Sequence, residues 1–223
     1  MPQYTNHSLF NNIFYNNFWP DIFFVNDYSV LVILWNILLL AIPFFLCKYL
    51  IKYYKKNKFK KYYHKIFAVL LNFLWLLFIP NTAYVITDVR HLSTECAVNS
   101  AYHVCLKTAW IIMFFFVYGC IGWISFVFLL NQMKGFIIKF SGKKNGKIFI
   151  WIIIPLISMG VLLGLINRWN SWDFFLHPIL VLKSSIIYLI NFIYFKNWAV
   201  FTIGLYILYF AGNKIAQRKT RNP

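Results

Sequence analysis

Acidic side chains are scarce in this chain, which has five Asp and Glu against 22 Lys and Arg among its 223 residues. Charged residues make up 12% of the chain, whereas a soluble domain carries roughly 25%. This shortage argues against an ordinary soluble domain. The GxSxG, HExxH, CxxC, Walker and Rossmann motifs are also missing from the sequence. The sequence therefore offers no support for hydrolase, redox or nucleotide chemistry of those kinds.

The apolar residues, 61% of the chain, are gathered into long runs. Four of these runs are Val30–Cys47, Ile66–Thr87, Ala109–Leu130 and Ile148–Ile166. Each is long enough for a membrane span, which needs ~17–25 mostly apolar residues. The runs do not alternate apolar and polar residues as the strands of a membrane barrel do. The sequence thus predicts an all-α, polytopic transmembrane helix bundle.

Two shorter apolar stretches follow the fourth run. Lys183, Ser184 and Asn191 lie on one helical face of Ile179–Phe195, so an amphipathic helix on the outer membrane surface is expected near residues 179–195. A fifth span is expected from Trp198 to about Ala216. Six spans, with both stretches crossing, is the alternative. Five spans are favoured because they leave the basic tail on the same side as the other basic clusters.

The basic residues indicate the orientation of the bundle in the membrane. Seventeen of the 22 Lys and Arg fall within Lys48–Lys65, Lys134–Lys147 and Lys214–Arg221, and each cluster borders a span. By the positive-inside rule these clusters are cytoplasmic, which places the N-terminus outside and the C-terminus inside. The expected organisation is an extracytoplasmic segment over residues 1–29, a transmembrane domain over 30–216 and a basic tail over 217–223.

The net charge of +17 invites a nucleic-acid interpretation, but orientation in the membrane accounts for the three clusters without a polymer partner. The expected partners are the bilayer itself and anionic lipids at the cytoplasmic face. No nucleic-acid partner is expected. The sequence indicates neither a protein partner nor a cofactor.

The second run ends in the stretch PNTAYVITDVRHL, which begins at Pro80. Proline removes one backbone hydrogen bond and kinks a helix, and neighbouring groups within a membrane bundle can compensate for the loss. If the helix continues, Asn81, Tyr84, Asp88 and His91 follow one another at i, i+3, i+7 and i+10 and share one face. The fourth run ends similarly, in GVLLGLINRWNSWD.

Within that second stretch, Gly160 and Gly164 form a small-xxx-small pair that permits close helix packing. Arg168 and Trp172 continue the same face, and Asp173 follows directly. Both stretches end at the outer surface in the predicted topology, so each brings an aspartate there. Ionisable groups at such span ends are candidate functional groups. We therefore expect Asp88 and His91 to meet Arg168, Asn170 or Asp173.

The two stretches, in this order and about 80 residues apart, resemble the signature sequences of the bacterial family called domain of unknown function 1361. The likeness extends from Val30 onward. The resemblance implies an integral protein of the bacterial cytoplasmic (inner) membrane, with no established activity. Ala83 stands where the family pattern has proline, which implies a milder bend. The pattern falls on the residues Pro80, Asn81, Tyr84, Thr87, Asp88, His91, Arg168, Asn170, Ser171, Trp172 and Asp173.

Several roles remain open for these residues. In a site for a lipid-linked or envelope substrate, Asp88, His91 or Asp173 would be catalytic, with Arg168 as an anion clamp. Binding contacts are expected from the remaining polar and aromatic motif residues, Asn81, Tyr84, Thr87, Asn170 and Trp172. Alternatively, the cluster only locks two helices, or the protein is a small transporter. A metal is not expected; if one binds, its candidate ligands are Asp88, His91 and Asp173.

The orientation is tested by reporter fusions. Fusions after Asn57 and after Arg221 are expected to report the cytoplasm, and a fusion within residues 95–99 is expected to report the outside, because the basic clusters remain in the cytoplasm. A cytoplasmic signal from residues 95–99 would contradict the whole topology.

Overall fold

The computed structural model describes residues 24–25, 28–56, 62–92 and 109–221, and these are almost entirely helical. Two two-residue strands, β1 (Phe24–Val25) and β2 (Tyr28–Ser29), pair antiparallel just before the first helix. The helices are α1 (Val30–Lys56), α2 (Tyr62–Phe78), α3 (Pro80–Thr87), α4 (Ala109–Ile166), α5 (Asp173–Leu176), α6 (Pro178–Ile190) and α7 (Phe192–Arg221). A 3-10 helix, Asp88–Leu92, follows α3 directly.

Within the residues that the structure describes, four helical stretches are long and apolar enough to cross a membrane, which confirms the predicted all-α helix bundle of a multi-pass membrane protein. They are Val32–Lys56, Tyr62–Arg90, Ile112–Ile166 and Phe192–Ala216, and Pro178–Ile190 is a shorter apolar helix. The third stretch, with 55 residues, is about twice the length that a bilayer requires. Its length is explained by a reversal of the chain.

The reversal lies at Gly142, whose φ of 88° and ψ of 166° interrupt α4. Trp123 donates a hydrogen bond to the Leu208 carbonyl at 2.8 Å, and the Tyr206 hydroxyl donates one to the Trp151 carbonyl at 2.7 Å. Residues 123 and 151 would lie ~42 Å apart in a straight helix, yet both contact one turn of α7. Two antiparallel segments result, α4a (residues 109–141) and α4b (residues 143–166). The described part of the chain therefore contains five candidate crossing segments.

Helix α3 lies against both segments of α4 through glycines. A Cβ added to Gly122 in α4a would lie 2.8 Å from the Thr82 carbonyl oxygen, and one added to Gly160 in α4b would lie 2.7 Å from Cγ of Pro80. Gly164 continues this contact against the Tyr84 ring, as its spacing from Gly160 predicts. The glycines therefore fix the position of the first polar motif relative to α4.

The main core surrounds this contact. Buried side chains of both α4 segments pack against Trp75 of α2, Ile79 at the α2–α3 junction and Ala83 of α3. Helix α1 closes one side of the bundle and α7 another, where the buried Tyr209 donates a hydrogen bond to the side chain of Asn131 at 2.8 Å. Asn72 bridges α2 to α1 through the Tyr54 hydroxyl.

The boundary between the last two helices differs from the sequence expectation of an amphipathic helix near residues 179–195 and a span from Trp198. The shorter helix ends at Ile190, and α7 already begins at Phe192. The reason is Asn191, whose backbone is extended (ψ 121°) and whose side-chain oxygen accepts a hydrogen bond from the Ile193 amide at 3.0 Å. Asparagine is a favourable N-cap, so it begins the next helix.

The close approach at Gly160 is tested by substitution. Because the Cβ of Gly160→Ala would overlap Pro80, we expect a loss of about 1–3 kcal/mol in stability, as for other overpacked core positions. The measurement is the thermal unfolding midpoint of the purified protein in one detergent. Gly204→Ala in α7 is the matched control, since nothing lies within 4 Å of its Cβ, and its midpoint should stay equal or rise. Equal midpoints for Gly160→Ala and wild type would contradict the packing.

Candidate ligand-binding site

The loop after α4b is built around an unusual backbone conformation at Arg168. Its φ of 58° lies in the left-handed region, which few residues other than glycine adopt. The amides of Asn167 and Trp169 both donate to the Leu163 carbonyl, at 3.1 and 3.2 Å, and so hold the chain as it leaves the helix. Strained conformations of this kind are concentrated at functional sites, which makes Arg168 a candidate on structural grounds as well.

The rest of the loop is held by its own side chains. Oδ2 of Asp173 accepts a hydrogen bond from the backbone amide of Asn170 at 2.7 Å and lies 3.4 Å from its Nδ2. The Asp173 amide donates back to the Asn170 carbonyl at 3.0 Å. In this conformation Asp173 stabilises the turn that precedes α5.

The two motifs meet through this loop. The Ser171 hydroxyl donates to the Leu77 carbonyl at 2.8 Å, and Nδ2 of Asn81 donates to the Ser171 hydroxyl oxygen at 3.2 Å. Trp172 makes an edge-to-face contact with Trp35 of α1, with ring centroids 6.0 Å apart. The loop is therefore docked on the junction of α2 and α3, where Pro80 interrupts the helix.

A cavity of about 1280 Å³ lies beneath the docked loop, between α1, α2, α3, α4b and α6. Polar groups gather at the loop end, and apolar side chains continue along α4b as far as Ile152. Sixteen residues separate Ile152 from Arg168, which corresponds to ~24 Å of helix. The polar lining residues include Asn36, Asn81, Tyr84, Arg90, Arg168 and Ser171.

Arg90 reaches the cavity because the helix tightens after α3. In the 3-10 helix Asp88–Leu92, each turn takes ~3.0 residues instead of ~3.6, which changes the direction of the side chains. Nη2 of Arg90 donates to the Tyr84 hydroxyl at 3.2 Å, and its guanidinium carbon lies 5.8 Å from the centre of that ring. The α-helical spacing alone places Arg90 off the polar face, so sequence reasoning missed this residue.

Asp88 is buried, with 1% of its surface exposed. Its Oδ2 accepts a hydrogen bond from Nδ2 of Asn36 in α1 at 3.2 Å. Within the described part of the chain, its Oδ1 and the buried Tyr118 hydroxyl have no hydrogen-bond partner. Arg90 and Arg168 both lie near enough for their charges to act on the Asp88 carboxyl. Asn36 thus contacts Asp88 on one side and the cavity on the other.

The remaining candidates have different surroundings. The Thr87 hydroxyl donates to the Tyr84 carbonyl at 2.6 Å, within its own helix. The side chain of His91 lies outside the described residues. Among the side chains that are described, no three of His, Cys, Asp and Glu come together as metal ligands. Of the predicted site residues, Asn81, Tyr84, Arg168 and Asn170 line the cavity.

Helix α6 lines one side of the cavity and is hydrogen-bonded to the end of α4b and the loop that follows it. The Tyr188 hydroxyl donates to the side-chain oxygen of Asn167 at 3.1 Å, and Trp169 donates to the Ser184 hydroxyl oxygen at 3.3 Å. Burial raises the pKa of Tyr188 to about 12, so this hydroxyl remains a donor over the physiological range. Ser184 belongs to the polar face that the sequence predicts for this helix, and it makes this contact with Trp169.

The part of the chain that carries the two motifs is similar to a known protein family. The family model matches residues 35–211, from Trp35 in α1 to α7, and so includes both motifs and all of the cavity lining except Val32. No curated protein and no solved structure matches the chain. Since the match covers well over half of the sequence, this chain belongs to the family described as a protein of unknown function, DUF1361.

Proposed function

We propose that this protein binds an acidic, lipid-linked ligand in the cavity beneath the Arg168 loop, at the extracytoplasmic face of the cytoplasmic membrane. The observation that carries the proposal is the division of the cavity into two parts. Arg90 and Arg168 lie at its polar end, and an apolar groove extends from there along α4b. A ligand that fills both parts has an anionic head and a hydrocarbon tail.

The groove is accessible from the side of the bundle. Ile152 and Leu156 of α4b and Leu182 and Leu189 of α6 line the cavity, and between 47% and 57% of their surfaces is exposed. In a membrane protein such surfaces face hydrocarbon, so a lipid tail can enter laterally without crossing water. The volume of about 1280 Å³ exceeds the ~300–1,000 Å³ of most small-molecule sites, as a tailed ligand requires.

The polar end has the chemistry of an anion site. Guanidinium groups bind phosphate and carboxylate through paired hydrogen bonds, and more strongly where water is excluded. The predicted topology places only five of the 22 basic residues outside, and Arg90 and Arg168 are two of these. Their convergence on one cavity supports an anionic headgroup at this face, separate from the cytoplasmic basic clusters.

Catalysis at this site is a further part of the proposal. Of the three candidate catalytic residues, Asp88 is the strongest, because its carboxyl is buried beside the cavity. Asp173 and His91 are the other two. In the structure, however, Asp88 holds the Asn36 side chain and Asp173 holds the loop through the Asn170 amide. These hydrogen bonds favour a positioning role for both carboxyl groups over a catalytic one. Binding is therefore the function that the geometry supports best.

A second candidate function is a structural one, in which the motifs only lock helices together. The hydrogen bonds from Ser171 to Leu77 and from Asn81 to Ser171 favour it, since they connect the motifs without a ligand. The two candidates differ in what Arg168 does. A structural lock needs the loop but no free positive charge in the cavity.

The test is lipid binding to Arg168→Gln, measured by native mass spectrometry of the purified protein with phosphatidylglycerol and with zwitterionic phosphatidylcholine. Wild type should prefer phosphatidylglycerol. The variant should lose that preference by roughly 10- to 100-fold, the value of a charge-assisted hydrogen bond of ~1.5–3 kcal/mol. Arg168→Lys should retain part of the preference, because it keeps the charge without the paired donors.

Two controls separate charge from folding. Arg168→Gly accommodates the φ of 58° without strain, so it should lose the preference while remaining at least as stable as wild type. Lys183→Gln removes an exposed charge from α6 outside the cavity, and its preference should be unchanged. An undiminished preference in Arg168→Gln and Arg168→Gly would refute the anion site and favour the structural lock.

A further inference from the structure

We infer that Asn36 determines headgroup specificity by accepting a hydrogen bond from a hydroxyl group of the ligand, and that Asp88 is its positioning residue. The inference rests on the proposed function, since it concerns the headgroup of the same ligand. It assigns the ligand to a narrower class, the acidic lipids whose headgroups carry free hydroxyl groups. Its physical basis is the contact between Asn36 and Asp88.

The orientation of the Asn36 amide is fixed by what Asp88 can offer. A carboxylate has only acceptor atoms, so the group that approaches Oδ2 of Asp88 at 3.2 Å is the amide nitrogen of Asn36. The Asn36 side chain is half-buried and lines the cavity. One hydrogen of its nitrogen is engaged by Asp88, and the amide oxygen is the acceptor that the side chain can offer to a ligand.

The ionised form of Asp88 enforces this orientation, and the protonated form is compatible with it. When ionised, the carboxylate accepts on both oxygens. When protonated, the carboxyl can carry its hydrogen on Oδ1, which leaves Oδ2 as the acceptor for Asn36. The buried Tyr118 hydroxyl of α4a lies close to the same carboxyl and to Asn36, without a hydrogen bond to either. The other polar groups around this carboxyl, Arg90 and Arg168, are donors and cannot take the place of the Asn36 oxygen as an acceptor.

The polar end then has two kinds of recognition. Arg90 and Arg168 supply positive charge and donors, which suit a phosphate, and Asn36 supplies an acceptor, which suits a hydroxyl. All three line one cavity. A phosphate ester with a hydroxylated headgroup, such as a glycerol or sugar phosphate on a lipid, meets both requirements at once. A lipid with the same charge and no headgroup hydroxyl meets only the first.

The experiment compares phosphatidylglycerol with phosphatidylpropanol, which has the same single charge and no headgroup hydroxyl, by native mass spectrometry of the full-length protein. Wild type should bind phosphatidylglycerol roughly 3- to 10-fold more tightly, the value of one hydrogen bond of ~0.5–1.5 kcal/mol. In Asn36→Leu this ratio should fall to about one, while phosphatidylpropanol binds as it does to wild type.

Two further variants test the mechanism. The amide of Asp88→Asn can face Asn36 with either its oxygen or its nitrogen, so it no longer fixes the orientation of Asn36. The preference for phosphatidylglycerol over phosphatidylpropanol should therefore fall below that of wild type. Asn72→Leu removes an asparagine that links α2 to α1 at Tyr54, away from the cavity, and should leave the ratio unchanged. A ratio that falls equally in Asn72→Leu would assign the effect to general loss of packing and overturn the inference.

The outcomes for wild type separate the two proposals. If both lipids bind more tightly than phosphatidylcholine but equally to each other, the inference about Asn36 is wrong and the anion site stands. If neither lipid binds more tightly than phosphatidylcholine, the proposed function itself is wrong. An undiminished ratio in both Asn36→Leu and Asp88→Asn would likewise overturn the inference.

Discussion

The close contact of α3 with both segments of α4 is the constraint on which the site depends. Gly122 lies against α3 from one side, and Gly160 and Gly164 lie against it from the other. Without side chains there, Pro80 and Tyr84 come close to the α4b backbone, and the loop at its end can reach the α2–α3 junction. The polar cavity is a consequence of this packing, because the docked loop closes over the space that the helices leave open.

The polar groups at this end of the bundle fall into two sets with different partners. Ser171 and Asn81 use their hydrogen-bonding groups within the protein, and they hold the loop in place. Arg168, by contrast, is exposed in the cavity, on a backbone conformation that costs free energy for a residue with a side chain. A helix lock does not need a positive charge in the cavity, so Arg168 adds to the reason given by the division of the cavity into a polar end and an apolar groove.

Much of the fold could be predicted from the sequence, because the apolar runs that form the helices are properties of local composition. Gly160 and Gly164 also indicate the close packing against α3. The sequence predicts that Asp88 and His91 meet Arg168, Asn170 or Asp173, whereas the hydrogen bonds that join the motifs in the structure are those of Asn81 and Ser171. Arg90 could not be placed, because a change from α-helical to 3-10 geometry leaves no clear signal in the sequence. The pairing of Asn36 with Asp88 depends on the rotation of α1 about its axis, which only tertiary packing determines.

The central claim is that the cavity holds an acidic lipid, and the most direct measurement is the lipid content of the purified protein. The protein would be extracted in mild detergent, and the lipids that remain bound would be identified and counted by mass spectrometry against the composition of the source membrane. The account predicts about one tightly held lipid per chain, acidic and enriched over its share of the membrane, and its loss in Arg168→Gln. A bound fraction with the same composition as the membrane, unchanged by Arg168→Gln, would contradict it.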